Sequence, residues 1–345
     1  MNADIVPCGI VGCGPTFNFG WVHARWIQAV PELALVAICD RDPERADLAG
    51  RDFPGVVPHT DLDELLARDD VDMVSVVTQH NTHRDIVVRC LDAGKHVVVE
   101  KPMCISVAEA DVMIEAAREA DRTLAVFHNR RHDGNVRAIR KVIDEGQLGR
   151  VFHIELSACG FGRPGDVWRS EKAVCGGALY DWGAHAVDWV LSLVPSRMTQ
   201  VTGFFHNLLW HDSSNEDQTR ALIRFEDETV ADITYSSVAR IGKPLWRILG
   251  TEGAIEDSGD GAIEGYCKDI TGPSGGSFRM VTDAGEAQVP YLESDWVTYY
   301  HDMADHLLRG VPVPVSAEDG RRVIAVLETA EKSSRTGRSE TPPHA

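Results

Sequence analysis

Between residues 5 and 127 the chain alternates short, continuous apolar runs with segments of helical periodicity, and no other feature restricts its fold so tightly. Residues 5–11, 34–39, 73–77, 97–99 and 123–127 read as strands, and residues 21–30, 62–67, 84–93 and 107–120 read as helices between them. A strand that is apolar on both faces has to be covered on both. Strands of this kind joined by helices meet that demand as a parallel sheet sandwiched between helical layers. The expected fold of residues 1–128 is therefore a doubly wound α/β domain.

Beyond about residue 150 the texture changes. Residues 151–158, 219–225 and 230–236 alternate apolar and polar positions, as strands with one wet face do, and Glu226-Asp227-Glu228-Thr229 reads as the turn joining the last two. Helical patterns fall at about 179–193, 302–309 and 321–332, residues 272–276 read as a loop, and the polar stretch 333–345 ends near Pro342-Pro343. The expectation is a second α/β domain over residues 129–332, built on a mostly antiparallel open sheet, followed by a tail at 333–345 that frays. A length of 345 residues agrees with two domains.

Charge and cysteine content narrow the function classes. Thirty-four Lys and Arg against 53 Asp and Glu leave a formal charge of −19, a poor match for a phosphate backbone or an anionic membrane surface. An apolar content of 43% against 25% charged residues is that of a globular chain, not a disordered one. No run approaches the roughly 18 apolar residues of a membrane span, and no basic start precedes an apolar signal core, so the cytoplasm is the expected location. The eight cysteines never form a CxxC pair, and most lie in apolar runs. They are expected to be reduced and buried, with neither a disulfide frame nor a metal site. Nothing near Cys175 in the sequence would activate it as a nucleophile.

The first chemical signal follows the first strand. Gly12-Cys13-Gly14 allows a tight turn and a close approach to a pyrophosphate, whose charge would meet the start of the next helix. The third glycine of the usual GxGxxG pattern would fall at position 17, which is Phe17. Gly20 is the expected substitute, with residues Pro15 to Phe19, Thr16 and Phe17 among them, in a turn about three residues longer than normal. Asp40 ends the second strand 20 residues after Gly20, close to the spacing of the acid that binds an adenosine ribose. Its carboxylate favours NAD over NADP, while the neighbouring Arg41 leaves NADP open. The alternative role for Asp40 is to open the Asp40-Arg41-Asp42-Pro43 turn and cap the following helix.

Two further signals bear on proton and charge transfer. Glu100-Lys101-Pro102 ends a strand of the same domain, on the side where ligands bind such sheets, although a lysine in that place is commonly just solvated. In residues 176–188 a helix would set Asp181, His185 and Asp188 on one face, with Trp182 and Trp189 as a neighbouring apolar stripe. A histidine beside a carboxylate can accept and return a proton near neutral pH. A helix-start acid and a core histidine would look the same.

Together these features resemble the Gfo/Idh/MocA family of glucose-fructose oxidoreductases and inositol dehydrogenases. The resemblance runs through Gly12 and Gly14, Asp40, residues 78–83, Gly94-Lys95-His96, Glu100-Lys101-Pro102, Asn129-Arg130-Arg131, residues 146–151, Trp168-Arg169, residues 176–188 and Glu318-Asp319-Gly320. It implies an N-terminal Rossmann domain and a C-terminal domain whose open sheet joins subunits, here into a homodimer or homotetramer. It also implies hydride exchange between NAD, or NADP, and a secondary hydroxyl or ketone of a sugar, cyclitol or related polyol. Lys101, Asp181 and His185 match the family's catalytic positions. Thr78, Gln79, His80, His83, Glu100 and Lys101 fall where the nicotinamide end of the cofactor is held, and Thr78-Gln79-His80 departs from the family's common Thr-Pro-Asn. Arg131, Trp168 and Arg169 join the catalytic three as candidates for substrate contact, with His153, Asp166, His206, Asn207, Trp210 and His211 as further polar or aromatic pocket candidates. The fold also serves redox-neutral enzymes that cleave or isomerise glycosides through transient oxidation, and regulators that bind dinucleotide without turnover.

If Asp40 accepts from the adenosine ribose, Asp40→Ala should weaken NAD binding by about 1 to 3 kcal/mol and narrow the preference over NADP. Calorimetric titration with both nucleotides reads this, and an unchanged affinity ratio would remove Asp40 from the ribose.

Overall fold

The computed structural model describes residues 5–16, 18–165, 167–257, 272 and 275–345. They form two compact units, Met1–His128 with Val297–Arg321, and Asn129–Trp296 with Arg322–Ala345. In the first, β1 (Val6–Val11), α1 (Phe19–Ala29), β2 (Leu33–Cys39), α2 (Pro43–Asp52), β3 (Val57–His59), α3 (Leu62–Leu66), β4 (Met73–Val76), α4 (His83–Asp92), β5 (His96–Glu100), α5 (Val107–Ala120) and β6 (Leu124–Phe127) follow one another. The strands pair in the order β3-β2-β1-β4-β5-β6, every pair parallel. This is the Rossmann order, and its reversal between β1 and β4 opens the crevice that such sheets use for ligands. Every residue of β4 is buried, as are Val97, Val98 and Val99 of β5. The helices start where the sequence supplies caps: Asp42 accepts from the Glu44 N–H at 3.0 Å ahead of Pro43, and Ser106 accepts from the Glu109 N–H at 3.3 Å.

The second unit begins with α6 (Gly134–Asp144) and continues through β7 (Val151–Cys159), α7 (Lys172–Cys175), α8 (Ala178–Leu193), β8 (Met198–His206), β9 (Gln218–Phe225), β10 (Val230–Ser236), β11 (Trp246–Gly250), β12 (Gly253–Asp257), β13 (Ser277–Thr282) and β14 (Gly285–Pro290). The sheet order is β14-β13-β12-β11-β7-β10-β9-β8, with β7 and β10 parallel and the other neighbours antiparallel. One face of β9 is buried and the other part-exposed or open, in keeping with its alternating sequence. The 226–229 turn closes as expected: the Phe225 N–H reaches the Thr229 carbonyl at 2.9 Å, and Glu228 takes φ 71°. Helix α8 lies on the sheet, its Trp189 ring 5.5 Å from that of Trp246 on β11.

Two expectations about the C-terminal part are corrected. Helix α9 (Thr298–Arg309) and the start of α10 (Ala317–Thr336) group with the first unit, not with residues 129–332. Tyr299 donates to the Val126 carbonyl at 2.8 Å, and the Val126 N–H donates to Val315 O at 3.2 Å, so the returning segment borders β6. The tail at 333–345 does not fray. Buried Ser333 accepts from the Gly203 N–H at 3.0 Å, Ser334 accepts from the Phe205 N–H at 2.9 Å, and Glu340 pairs with Val201 through both backbone groups. These bonds occupy the open edge of β8, whose polar groups would otherwise face water. Among the described residues no helix is long and apolar enough to cross a membrane.

A buried polar chain explains why α9 is held so firmly. Ser75 Oγ lies 2.8 Å from Tyr300 Oη, Tyr300 Oη lies 2.7 Å from His23 Nδ1, and His23 Nε2 lies 2.9 Å from Glu100 Oε1. The Lys101 N–H donates to Glu100 Oε2 at 3.0 Å. One set of proton positions satisfies every link: Ser75 donates to Tyr300, Tyr300 to His23 Nδ1 and His23 Nε2 to the carboxylate. Burial pushes the Tyr300 phenol well above its ordinary pKa, so it keeps the proton it must donate.

His23→Leu would strand the Tyr300 hydroxyl and one Glu100 oxygen without this partner. It should cost about 3 kcal/mol of stability, with His23→Gln recovering part. Urea unfolding followed by circular dichroism measures both, and wild-type stability for the leucine variant would contradict the chain.

Candidate active site

In the first unit the glycine turn is built by close backbone approach. Gly12 takes φ +103°, and a Cβ there would stand 2.1 Å from Val77 O, just past the end of β4. No side chain fits. Gly20, already inside α1, performs the packing role of the missing third glycine, since a Cβ on it would meet Gly12 O at 2.5 Å. The space beside Gly14 is open within 4 Å, as the approach of a bulky ligand requires. Asp40 accepts from the Cys13 N–H at 2.6 Å and from the Asp42 N–H at 3.0 Å, while the cap on α2 belongs to Asp42. Asp40 therefore joins β2 to the glycine turn and is not the helix cap. Pro15, Thr16 and Arg41 are exposed. Phe17 lies outside the described residues. Open glycine turn, helix start and terminal acid together fit a dinucleotide.

The Glu100-Lys101-Pro102 segment leaves β5 with Lys101 only 8% exposed and a cis Lys101–Pro102 bond. His83 fixes its surroundings. The His83 ring lies 3.0 Å by Nδ1 from Pro102 O and 3.2 Å by Nε2 from Thr78 O, which bridges the 78–83 segment to the exit of β5. Burial lowers its pKa, so the ring is neutral and donates to one carbonyl at a time. The expectation that His83 contacts the cofactor is corrected, because its side chain is sealed in the interior and acts through the backbone it holds. His80 is also buried, whereas Thr78 and Gln79 are part-exposed.

In the second unit α8 carries Asp181 and His185 one turn apart. Its start at Gly177 has no side chain to cap it. Glu216 serves instead, accepting from the Ala178 N–H at 3.2 Å, and Lys172 holds Glu216 at 2.5 Å and Glu331 at 3.0 Å. His185 lies between Trp182, with centroids 5.8 Å apart, and Trp189, 6.1 Å away and inclined by 22°. Both rings are anchored by Arg130, whose guanidinium sits 4.8 Å from the Trp182 centroid and whose carbonyl accepts from Trp189 Nε1 at 2.9 Å. Asp181 pairs with Arg169 at 3.5 Å, and the Arg169 guanidinium is 5.1 Å from the Trp168 ring. Trp168, Arg169 and Asp181 thus form one cluster. The Arg169–Asp181 pair and the Glu216 cap were not read from the sequence, because each joins residues that only the fold brings together.

Arg131, a candidate for substrate contact, is engaged by another residue of the second unit. Its guanidinium forks onto buried Asp188, with Nη2 to Oδ1 at 2.7 Å and Nε to Oδ2 at 3.0 Å. That also removes Asp188 from the working face expected for it. Among the other pocket candidates, Asn207 is committed to the Ser213 and Asn215 carbonyls, and Asp166 lies outside the described residues. Burial works to raise the Asp217 pKa, but N–H donors from Leu208, Leu209 and Trp210 hold the carboxylate below its usual range and fix the loop that carries Trp210. Among the described residues no His, Cys, Asp and Glu group is arranged to hold a metal. Cys175 is buried with its pKa raised by desolvation, as an inert thiol is.

Arg131→Met would leave Asp188 buried without its cation. Stability should fall by about 3 kcal/mol while NAD affinity is kept. Denaturant unfolding and nucleotide titration separate this from a substrate role, which would leave stability unchanged.

Comparison with known proteins places both units. The model of an oxidoreductase family with an NAD-binding Rossmann fold matches residues 6–128, and that of a GFO/IDH/MocA C-terminal domain matches residues 136–256. The chain is 27% identical to scyllo-inositol 2-dehydrogenase (NADP(+)) IolW of Bacillus subtilis, over 98% of this chain and 96% of that one. It is 25% identical to myo-inositol 2-dehydrogenase of Thermotoga maritima, over 96% and 97%. The solved structure of yvaA from Bacillus subtilis superposes with a TM-score of 0.87 at 26% identity, covering 99% of each chain. The chain belongs to the Gfo/Idh/MocA oxidoreductase family, and its first unit is that family's NAD-binding Rossmann domain.

Proposed function

We propose that this protein is an NAD(P)-dependent dehydrogenase acting on a secondary hydroxyl, or the matching ketone, of a sugar, cyclitol or related polyol. The observation that carries the reading is His185, held on α8 between Trp182 and Trp189, with Asp181 one turn earlier and paired to Arg169. An imidazole kept in one orientation by aromatic walls suits general base and acid work. The similarity to two inositol dehydrogenases supports the same substrate class.

Gly12, Gly14, Pro15, Thr16 and Asp40 would hold the adenosine and diphosphate of the cofactor, and Thr78 and Gln79 its nicotinamide ribose. When bound, the nicotinamide supplies the hydride acceptor. His185 takes the hydroxyl proton in oxidation and returns it in reduction. Lys101 stabilises negative charge on the substrate oxygen, and Asp181 holds a substrate hydroxyl or orients His185. The working form is a cytoplasmic homodimer or homotetramer joined through the open sheet of the second unit.

A panel of sugars and cyclitols with NAD and NADP, followed by nicotinamide absorbance, tests the reading. Net formation of reduced cofactor with a cyclic polyol is expected. Product formation without it would mark a redox-neutral enzyme instead. His185→Ala should lower kcat by about 10² to 10⁴-fold with NAD affinity nearly unchanged, and Lys101→Met should lower kcat by about 10² to 10³-fold with the fold intact. Wild-type turnover in either variant removes that residue from the chemistry.

A further inference from the structure

The turn between β1 and α1 is longer than the GxGxxG spacing allows, and something has to hold its shape. We propose that Arg45 is a positioning residue for the dinucleotide, holding Cys13 and Asn18, the two ends of the glycine turn, in the form that receives the cofactor's diphosphate. The inference rests on nucleotide binding by the first unit and is independent of the catalytic roles given to Lys101 and His185.

Arg45 lies in the first turn of α2 and reaches both ends of the glycine turn. Its Nε donates to Cys13 O at 2.7 Å, and its Nη2 donates to Asn18 Oδ1 at 2.7 Å. The guanidinium carbon also stands 4.2 Å from the centroid of the Trp21 ring, whose Nε1 donates to Asp52 at the far end of α2 at 2.8 Å. Because Asp40 accepts from the Cys13 N–H, that residue is gripped at its N–H by an anion and at its carbonyl by a cation. Asn18 completes the clamp. It takes a left-handed conformation, φ 56° and ψ 28°, and its side chain makes no capping bond to α1 because Arg45 engages it. Asparagine tolerates that conformation better than most residues, and the Arg45 bond holds it there.

The physical consequence concerns preorganisation. Each added residue in a phosphate-binding turn brings backbone freedom that must be lost when the ligand binds. A turn already fixed at both ends spares the nucleotide that loss. A planar fork serves two acceptors at once and stacks on an indole, which a lysine ammonium cannot reproduce. Arg45 acts here through the turn, without touching the cofactor.

The test measures binding of NAD, NADP and adenosine to the full chain by calorimetry, with saturation-transfer NMR for the weakest ligand, alongside the thermal midpoint. Arg45→Met, which keeps the stem, should weaken NAD and NADP together by about 10-fold or more, because both must then order the turn. Adenosine, which lacks the diphosphate, should change by less than about twofold, and Arg45→Lys should fall between. Asn18→Ala should weaken NAD as well, and the Arg45→Met/Asn18→Ala double variant should lose less than the product of the two single effects, since both break one bond. NADP weakened alone would make Arg45 a direct ligand of the 2′-phosphate and overturn the proposal. Equal weakening of adenosine, additive effects, or no change would overturn it too. If Arg45→Met does not fold, Arg45→Lys and Asn18→Ala carry the same comparison. A wild-type chain that bound neither dinucleotide would remove the nucleotide reading beneath it, a result visible before any variant is made.

Discussion

The parallel pairing of β1 with β4 is the constraint from which the nucleotide-binding half follows. Both strands are buried, so helices must cover them on both sides, and a chain crossing from one side to the other reverses direction between them. That reversal leaves the carboxyl ends of the strands uncovered, where Gly12, the exit of β4 and Glu100-Lys101-Pro102 all emerge. The glycine requirement at position 12 has the same origin. Its backbone passes so close to Val77 O, at the exit of β4, that this backbone, and not the ligand, excludes a side chain. A residue commonly read as a ligand contact is here first a condition of the sheet.

Around the candidate catalytic groups, polar side chains work mostly by holding other parts of the chain. His83 stands between two carbonyls and donates to one of them at a time, Glu216 supplies the cap that Gly177 lacks, and Arg131 pairs with Asp188 inside the second unit. Buried ion pairs of this kind add little net stability over an apolar core, yet losing one partner is costly. Their consequence is that α8 has a single seat. His185 inherits that rigidity through the tryptophans on either side of it, and a proton-transfer group gains from an orientation that does not wander.

The same logic runs through the buried chain from Ser75 to Glu100. Four polar groups share three side-chain links in an interior where each would be destabilising alone, and the last of them accepts the N–H of Lys101. The geometry of the Lys101 backbone is thereby tied to α9, more than 190 residues later in sequence. Arg45 bonds both ends of the glycine turn, Cys13 and Asn18, as His23 bonds Glu100 at the exit of β5.

Much of this was legible in the residues alone. Periodicity is a local property, so the parallel and antiparallel halves, the 226–229 turn and helix α8 could be read from pattern, as could Gly20 as the stand-in for a missing glycine. Chemistry-bearing residues at strand ends and along one helix face could be singled out for the same reason. What a side chain finally touches is not local. Arg131 and Asp188, 57 positions apart, meet only when α8 is seated, and Tyr299 and Val126 meet across 173 positions. The tail at 333–345 looked free because nothing in its own composition reveals that β8 presents an unpaired edge beside it. Sequence determined the strands and helices whose periodicity is strong, though not α2, α6, β3, β8 or β11–β14, and which residues could carry proton and charge transfer. Tertiary structure decided which of those residues were spent on each other, because that depends on distances the chain acquires only once its apolar faces are buried.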